Sequence, residues 1–519
     1  MMIRNQALVV RLLMAAVFSL AIAVTGCSSD DGDGDGGTGG GGVGGDGGGG
    51  VGGDGGGGSG GMEAELSVSA TPSCASGSAE CNEVNNVVFE TTQDVTLEVT
   101  PADAKIWYTT DGNLVLVEEG AGGAGGTMMV PSDTAQEYDG TPLSLDANTV
   151  LRFLAEGADG SFSEESLEGY VKASSDKEKQ WAVSGHGAIT EEPWRHWDED
   201  GEVPGRCAKC HSAGGFLEYA AAGAVTTAQP LPAGLACNAC HEGGAFPNIY
   251  GADGSGGNED YPFLEPVEFP SALTATYENA SNLCMTCHQG RESTVSVNED
   301  IADCVNDPEQ MCDEDCTPMA GAGGAGGAPG CDGLGFVNIH YYAAAATLFG
   351  TDVKGAYEYD AQTYAGQNTF EGTPHPGAGL DDCLGCHMRR GDESHVFLPA
   401  VTECSGCHGG GPEFRDLGAG VSDDFEDIQT LLAELLTAIE NYTENTLGSK
   451  VVYDGDSYPY WFDSEGNSYR FDAPSLQGAY NFQTGSKDPG NYIHNATYTK
   501  QFLHDSITDL GGTPTVDRP

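Results

Sequence analysis

Apolar and polar positions divide the chain into stretches of different character. Residues 12–24 (LLMAAVFSLAIAV) form an unbroken apolar run behind Arg4 and Arg11. That run is too short for a comfortable membrane span and has the layout of an export signal. Residues 30–61 are Gly and Asp with almost nothing to bury, which predicts a flexible, self-repelling tether with a reach of about 30 Å. Residues 65–173 then show short β-rich runs, Val87–Glu90, Val95–Val99, Lys105–Thr109 and Val150–Leu154. Turn residues such as Asp111-Gly112 and Asp159-Gly160 separate them, and this spacing predicts a small all-β sandwich. Residues 424–445 place Ile428, Leu431, Leu432, Leu435, Leu436 and Ile439 at helical spacing. A second helix is predicted from about Asn495 to Leu510. The rest of 178–519 is poor in regular patterning and in aliphatic runs, so something other than side chains is expected to fill part of its core.

The end of the apolar run, Val24-Thr25-Gly26-Cys27 followed by Ser28-Ser29, resembles a bacterial lipoprotein signal. The resemblance implies removal of residues 1–26 and a lipid on Cys27. An ordinary secretory peptide with a Cys near its end is the alternative. No later segment approaches 18 apolar residues, so the expected membrane attachment is the lipid on Cys27 and not a helix. Ser28 in place of Asp favours, by resemblance to enterobacterial sorting, an outer-membrane lipoprotein facing the periplasm or the cell surface. The expected organisation is a signal peptide (1–26), a tether (27–61), a β-sandwich (62–173) and a Cys/His-rich domain (178–519).

Charge narrows the partners. Acidic residues outnumber basic ones 79 to 20, a formal net charge of -59. Such a chain does not bind nucleic acid through a basic surface, because the phosphates would be repelled.

The chemistry sits in the cysteines. Five Cys-x-x-Cys pairs are each followed directly by His. They are Cys207, Cys210 and His211; Cys237, Cys240 and His241; Cys284, Cys287 and His288; Cys383, Cys386 and His387; and Cys404, Cys407 and His408. Chance at this composition gives roughly 0.01 such motifs. Two thiols three residues apart lie on one side of a helical turn and can add to the two vinyl groups of one porphyrin. The adjoining His then ligates the iron. Zinc sites and thioredoxin-like motifs also use Cys-x-x-Cys, but neither demands a His after every pair. Five covalently bound c-type haems are the expected cofactors, and an exported chain suits them. Of the 17 Cys, ten are then haem-bound and Cys27 is lipidated. Six remain: Cys74, Cys81, Cys304, Cys312, Cys316 and Cys331. Proximity suggests a Cys74–Cys81 disulfide. The other four leave three pairings open, and a metal site in the 304–331 loop is an alternative.

Twelve His minus five motif His leave seven: His186, His196, His340, His375, His395, His494 and His504. Five irons need five sixth ligands, so two-His ligation throughout is feasible, as suits electron transfer. An open sixth position would suit catalysis instead. Met388 follows a motif His directly and is expected to point elsewhere. Arg291, Arg389 and Arg390 adjoin motifs and are candidates to pair with propionates. The last two motifs are close in sequence, so their haems are expected to be neighbours, with His395 between them able to cap either.

Two resemblances complete the reading. VTLEVTPADAKIWYTTDG (95–112) and YDGTPLSLDANTVLRFLAE (138–156) resemble an Ig-like module of the chitobiase/β-hexosaminidase C-terminal type. This implies an accessory domain, with Trp107 and Tyr108 as candidate sugar platforms should it bind carbohydrate. Residues 180–511 resemble multihaem c-type cytochromes of dissimilatory metal-reducing bacteria. The matching stretches are SGHGAITEEPWRHWDEDGEVPGRCAKCHS (184–212), CMTCHQGRES (284–293), NIHYYAAAATLFG (338–350), HVFLPAVTECSGCHG (395–409) and NYIHNATYTKQFLHDSITDLG (491–511). The implied fold is multidomain: a small all-β Ig-like sandwich, then a mostly α and irregular multihaem cytochrome c domain. The resemblance implies His186, His340, His395 and His494 as sixth ligands. His375, in HPGAGLDDC, is added to them; His196 is the reserve and His504 the ordinary residue. The implied function is electron transfer to other cytochromes or extracellular acceptors, with self-association into filaments as a variant. The alternative is a multihaem reductase with one open haem. Pentahaem nitrite reductases carry Lys in one motif, whereas all five motifs here end in His.

Overall fold

The computed structural model describes residues 66–79, 81–119, 128–241, 266–277, 279–306, 316–317, 332–370, 375, 379–388, 394–418 and 420–519. The signal, the tether, Cys27, Cys312, Cys331, Arg389, Arg390 and both later Gly-rich stretches lie outside them. Residues 60–519 form one compact unit.

Among the described residues the β region holds ten strands: β1 (Ser67–Thr71), β2 (Asn86–Phe89), β3 (Gln93–Thr100), β4 (Lys105–Thr109), β5 (Leu116–Glu119), β6 (Met128–Pro131), β7 (Gln136–Glu137), β8 (Leu143–Leu145), β9 (Thr149–Glu156) and β10 (Ser166–Lys172). One sheet has the order β1-β3-β8, the other β2-β10-β9-β4-β7, and β5-β6 form a separate hairpin. All pairings are antiparallel except β2 with β10. Alternate residues of both sheets, among them Ala70, Val95, Leu97, Ile106, Leu151, Phe153 and Tyr170, meet in one core. Cys74 and Cys81 are disulfide-bonded, as their proximity suggested. Trp107 and Tyr108 are half-buried. The Trp107 indole donates to Glu156 (2.7 Å) and Tyr108 bonds Gln136 (3.2 Å).

β9 is buried on both faces. Leu151 and Phe153 enter the sandwich, while Val150 packs outward against Trp181, Ala182 and Ile189 of the following segment. Arg152, also outward, pairs with Glu165 and with buried Asp198. Asp198 faces Arg195 as well (3.4 Å). Asn86 donates to the Ala182 and Gly187 carbonyls. The β region is thus seamed to the residues just before the first motif. Gly112, at φ +85°, turns the chain where the Arg195 guanidinium would sit 2.6 Å from any Cβ, so both turn and seam need glycine.

Three helices, Val421–Tyr442, Ala473–Lys487 and Ala496–Asp509, build the C-terminal core. Asp472 and Asn495 cap the last two through side-chain oxygens. Ile428, Leu431, Leu435 and Ile439 face Leu476, Tyr480, Tyr498, Phe502 and Leu503. Aromatic residues outside the periodic pattern supply much of the volume of this part of the domain. Leu436, predicted inside, is half-buried at its margin. Among the described residues, no helix is long and apolar enough to cross a membrane.

Candidate functional site

Four of the five motifs wind into helical turns, in Gly205–His211, Ser281–Cys287, Cys383–His387 and Val401–His408. The second, Cys237–Ala239, is a tighter 3-10 turn. Local chemistry fixes them. In the fourth motif Asp382 accepts from the Gly385 amide (2.6 Å) and so caps its own turn.

Each motif His side chain faces one of the other seven His. His211 and His340 bring their Nε2 atoms to 3.4 Å, and His408 and His375 to 3.5 Å. The remaining pairs are His288 with His186 (ring centroids 6.3 Å apart), His241 with His395 (6.0 Å) and His387 with His494 (6.3 Å). Two imidazoles on opposite sides of one metal, each about 2 Å from it, hold their nitrogens about 4 Å apart. The observed rings fit that spacing after a separation of roughly half an ångström in the two tightest pairs. His395 therefore meets the second motif, not the fourth or fifth as its sequence position suggested. His196 bonds Glu192 (2.7 Å) and His504 lies beside Asp505 (3.4 Å), so neither joins a pair.

Nδ1 contacts set the tautomers. His211 donates to the Pro193 carbonyl (2.8 Å), His288 to Tyr342 (3.0 Å), His387 to Phe397 (2.9 Å) and His408 to Gly418 (3.3 Å). A carbonyl only accepts, so Nδ1 carries the proton and the Nε2 lone pair faces the partner, as a metal ligand requires. Burial, and behind it the His288 ring, pushes His186 down to about 4. Burial, then Arg291 and His211, pushes His340 down to about 3. Both therefore stay neutral and able to ligate. His340 sits at φ +78°, a left-handed conformation rare for a side-chain-bearing residue; the Asn338 side chain holds its amide (3.0 Å). Phe397 serves three pairs, its carbonyl on His387 and its ring against His186 (4.6 Å) and His395 (5.8 Å).

His494 differs. Its Nδ1 bonds both carboxylate oxygens of Asp488 at 2.9 Å. Burial opposes charge on His494, but Asp488 outweighs it and raises the imidazole. Asp488 in turn is lowered despite burial, by His494 and by bonds from Thr347 and Gly490. Gly490 is closed against the ring, since a Cβ there would lie 2.6 Å from it. Asp488 and Asn338 were not singled out from sequence. The only signal was an Asp six residues before a His.

The motifs crowd together out of chain order. Cys210 reaches the Thr286 carbonyl and Cys287 the Lys209 carbonyl, both at 3.9 Å, and the two thiols are hydrogen-bonded neighbours. Cys284 is likewise bonded to Cys383, and Ser281 accepts from the Leu384 amide (3.3 Å). Cys240 lies near Cys284 and Cys287, and Cys404 near Cys386. The third motif is thus the junction. Arg291 bonds the Asn338 carbonyl (3.4 Å), on the His340 side.

Nine motif cysteines carry free thiols. Cys207 does not: it is disulfide-bonded. That bond is at odds with a thioether at Cys207. Cys304 pairs with Cys316, which settles one of the open choices. No cluster of three or more His, Cys, Asp or Glu suited to one metal ion is present among the described residues.

The chain is 26% identical over 380 residues to the C-type polyheme cytochrome OmcB of Geobacter sulfurreducens strain PCA, a match covering 60% of this chain and 45% of that protein. It is 26% identical over 377 residues to the C-type polyheme cytochrome OmcC of the same strain, covering 60% and 44%. The likeness supports a multihaem c-type cytochrome. The chain spans less than half the length of these relatives. No family model and no solved structure matches it.

Proposed function

We propose that the chain is a pentahaem electron carrier of the cell envelope. Each Cys-x-x-Cys-His motif binds one c-type haem, and five further histidines complete the irons: His340 for the first motif, His395 for the second, His186 for the third, His494 for the fourth and His375 for the fifth. The carrying observation is the pairing itself, in which each motif His has one of these five as its nearest described imidazole partner. Haem supplies a one-electron couple at each site. The polypeptide holds the imidazoles, fixes their tautomers, keeps the motifs in contact and limits water. Nothing in the pairing leaves a sixth position open, which favours a carrier over a reductase.

On this reading the β region is an accessory Ig-like module. The lipid on Cys27 and the acidic tether hold the folded part at the outer membrane. Partner cytochromes or extracellular acceptors receive the electrons.

The test is electron paramagnetic resonance of the air-oxidised protein, with haem counted as the pyridine haemochrome and peptides mapped by mass. Five haems, all low-spin, with one on the Cys207 peptide, are expected. A stoichiometric high-spin signal that shifts with nitrite or cyanide would replace the carrier with a reductase.

A further inference from the structure

Two adjacent residues point their charges at two different histidine pairs. Asp488, 1% exposed, holds Nδ1 of His494 with both oxygens. The four motif His with a backbone Nδ1 partner have a neutral carbonyl in that place. A carboxylate on Nδ1 makes the imidazole a stronger donor and favours the oxidised iron. Lys487, 5% exposed, turns the other way. Its ammonium bonds Asn338 Oδ1 (2.7 Å), the atom that accepts the His340 amide (3.0 Å). It also lies over the Tyr341 and Tyr460 rings, at 4.3 and 4.0 Å, which favour its charged form, while burial and then Arg291 pull the amine down to about 7. Arg291 bonds the same residue's carbonyl, so two cations flank the loop that carries His340. In a low-dielectric interior such charges act strongly, and a cation favours the reduced iron.

We propose that the Lys487–Asp488 pair biases two haems in opposite directions, Asp488 lowering the potential at the fourth motif and Lys487, with Arg291, raising it at the first. This rests on the pentahaem reading. The third motif touches both, so the bias gives the line a direction. An electron given up at the fourth motif is taken up at the third and then at the first, the donor and final acceptor being the partner redox proteins. The two residues are positioning residues that act through His494 and through the His340 loop.

Potentiometric titration of the haem-loaded full chain tests the proposal. In Asp488→Asn one haem of five should become at least tenfold easier to reduce, a shift of 59 mV for one electron. In Lys487→Gln a different single haem should become several-fold harder to reduce. Asp488→Glu should restore the wild-type curve. Unmoved potentials, a shift spread evenly over all five, or both variants moving the same haem each overturn the proposal. A merely structural role predicts a high-spin signal from a lost ligand and no clean shift of one midpoint. If Asp488→Asn fails to load haem, Asp488→Glu must keep all five wild-type midpoints and Lys487→Gln must still lower one; failure of either overturns it. A wild type without covalent haem overturns the carrier reading as well, whereas five haems with unmoved potentials overturn this inference alone.

Discussion

Residues 379–418 and 421–509 adjoin in sequence and are held in different ways. The second stretch is a packed core, with Leu435, Tyr480, Tyr498 and Phe502 at or near zero exposure. The first carries two motifs and His395, and Leu417 is its only buried side chain among the described residues. None of its helical turns buries a residue of its own. A chain does not fold on half-buried contacts alone, because ordering each residue costs about 1–2 kcal/mol. The pairing His241–His395, His387–His494 and His408–His375 therefore marks where large flat groups would supply the missing apolar contact. One region brings its own core, and the other waits for a cofactor to become one.

The comparison can be broken in several ways. The largest effect should come from withholding haem. In chain secreted without haem attachment, amides of 394–418 should lose hydrogen-exchange protection while those of 496–509 keep theirs. Equal loss in both would erase the distinction. Next, Leu435→Ala should lower unfolding stability by about 2–5 kcal/mol in denaturant titration and leave the haem count at five. Loss of haem in that variant would mean that the core and the motifs form one cooperative unit. A smaller effect is expected at Asn495, whose oxygen caps the last helix and whose amide bonds Gly366 (2.9 Å). Asn495→Ala should cost about 1–2 kcal/mol and leave the low-spin signals in place. The smallest is His196→Gln, which should leave the low-spin spectra unchanged, because His196 is exposed and its side chain is held by Glu192 and the Trp197 ring.

Sequence carried some of this and not the rest, for physical reasons. The motifs were legible because thioether and ligand chemistry fixes contiguous residues. The helix over 421–442 was legible because its apolar period needs no partner to be seen. The pairing was not, since His211 and His340 are 129 residues apart and meet only through the tertiary fold. His395 misled for the same reason: sequence proximity placed it at the last motifs, and a turn on the helix at Asp176–Ala182, where Gln180 accepts its amide (3.1 Å), delivers it to the second. The outward face of β9 was also hidden. Arg152 in a strand reads as a solvent position until Asp198 and Arg195 arrive to bury it.

The proposed pairing has a consequence for how such a chain is made. On the proposed function the chain would cross a membrane from its N-terminus and take up haem at each motif on the far side. His340, His395 and His494 all lie well downstream of the motifs that they complete. The first, second and fourth haems would thus be attached while their second histidine was still to emerge, whereas His186 and His375 would be waiting for theirs. Assembly would pass through a nascent stage with iron open to small ligands and oxidants. The last turn to close the site would be the one at Asn491–His494, where Asp488 and Gly490 hold the arriving ring.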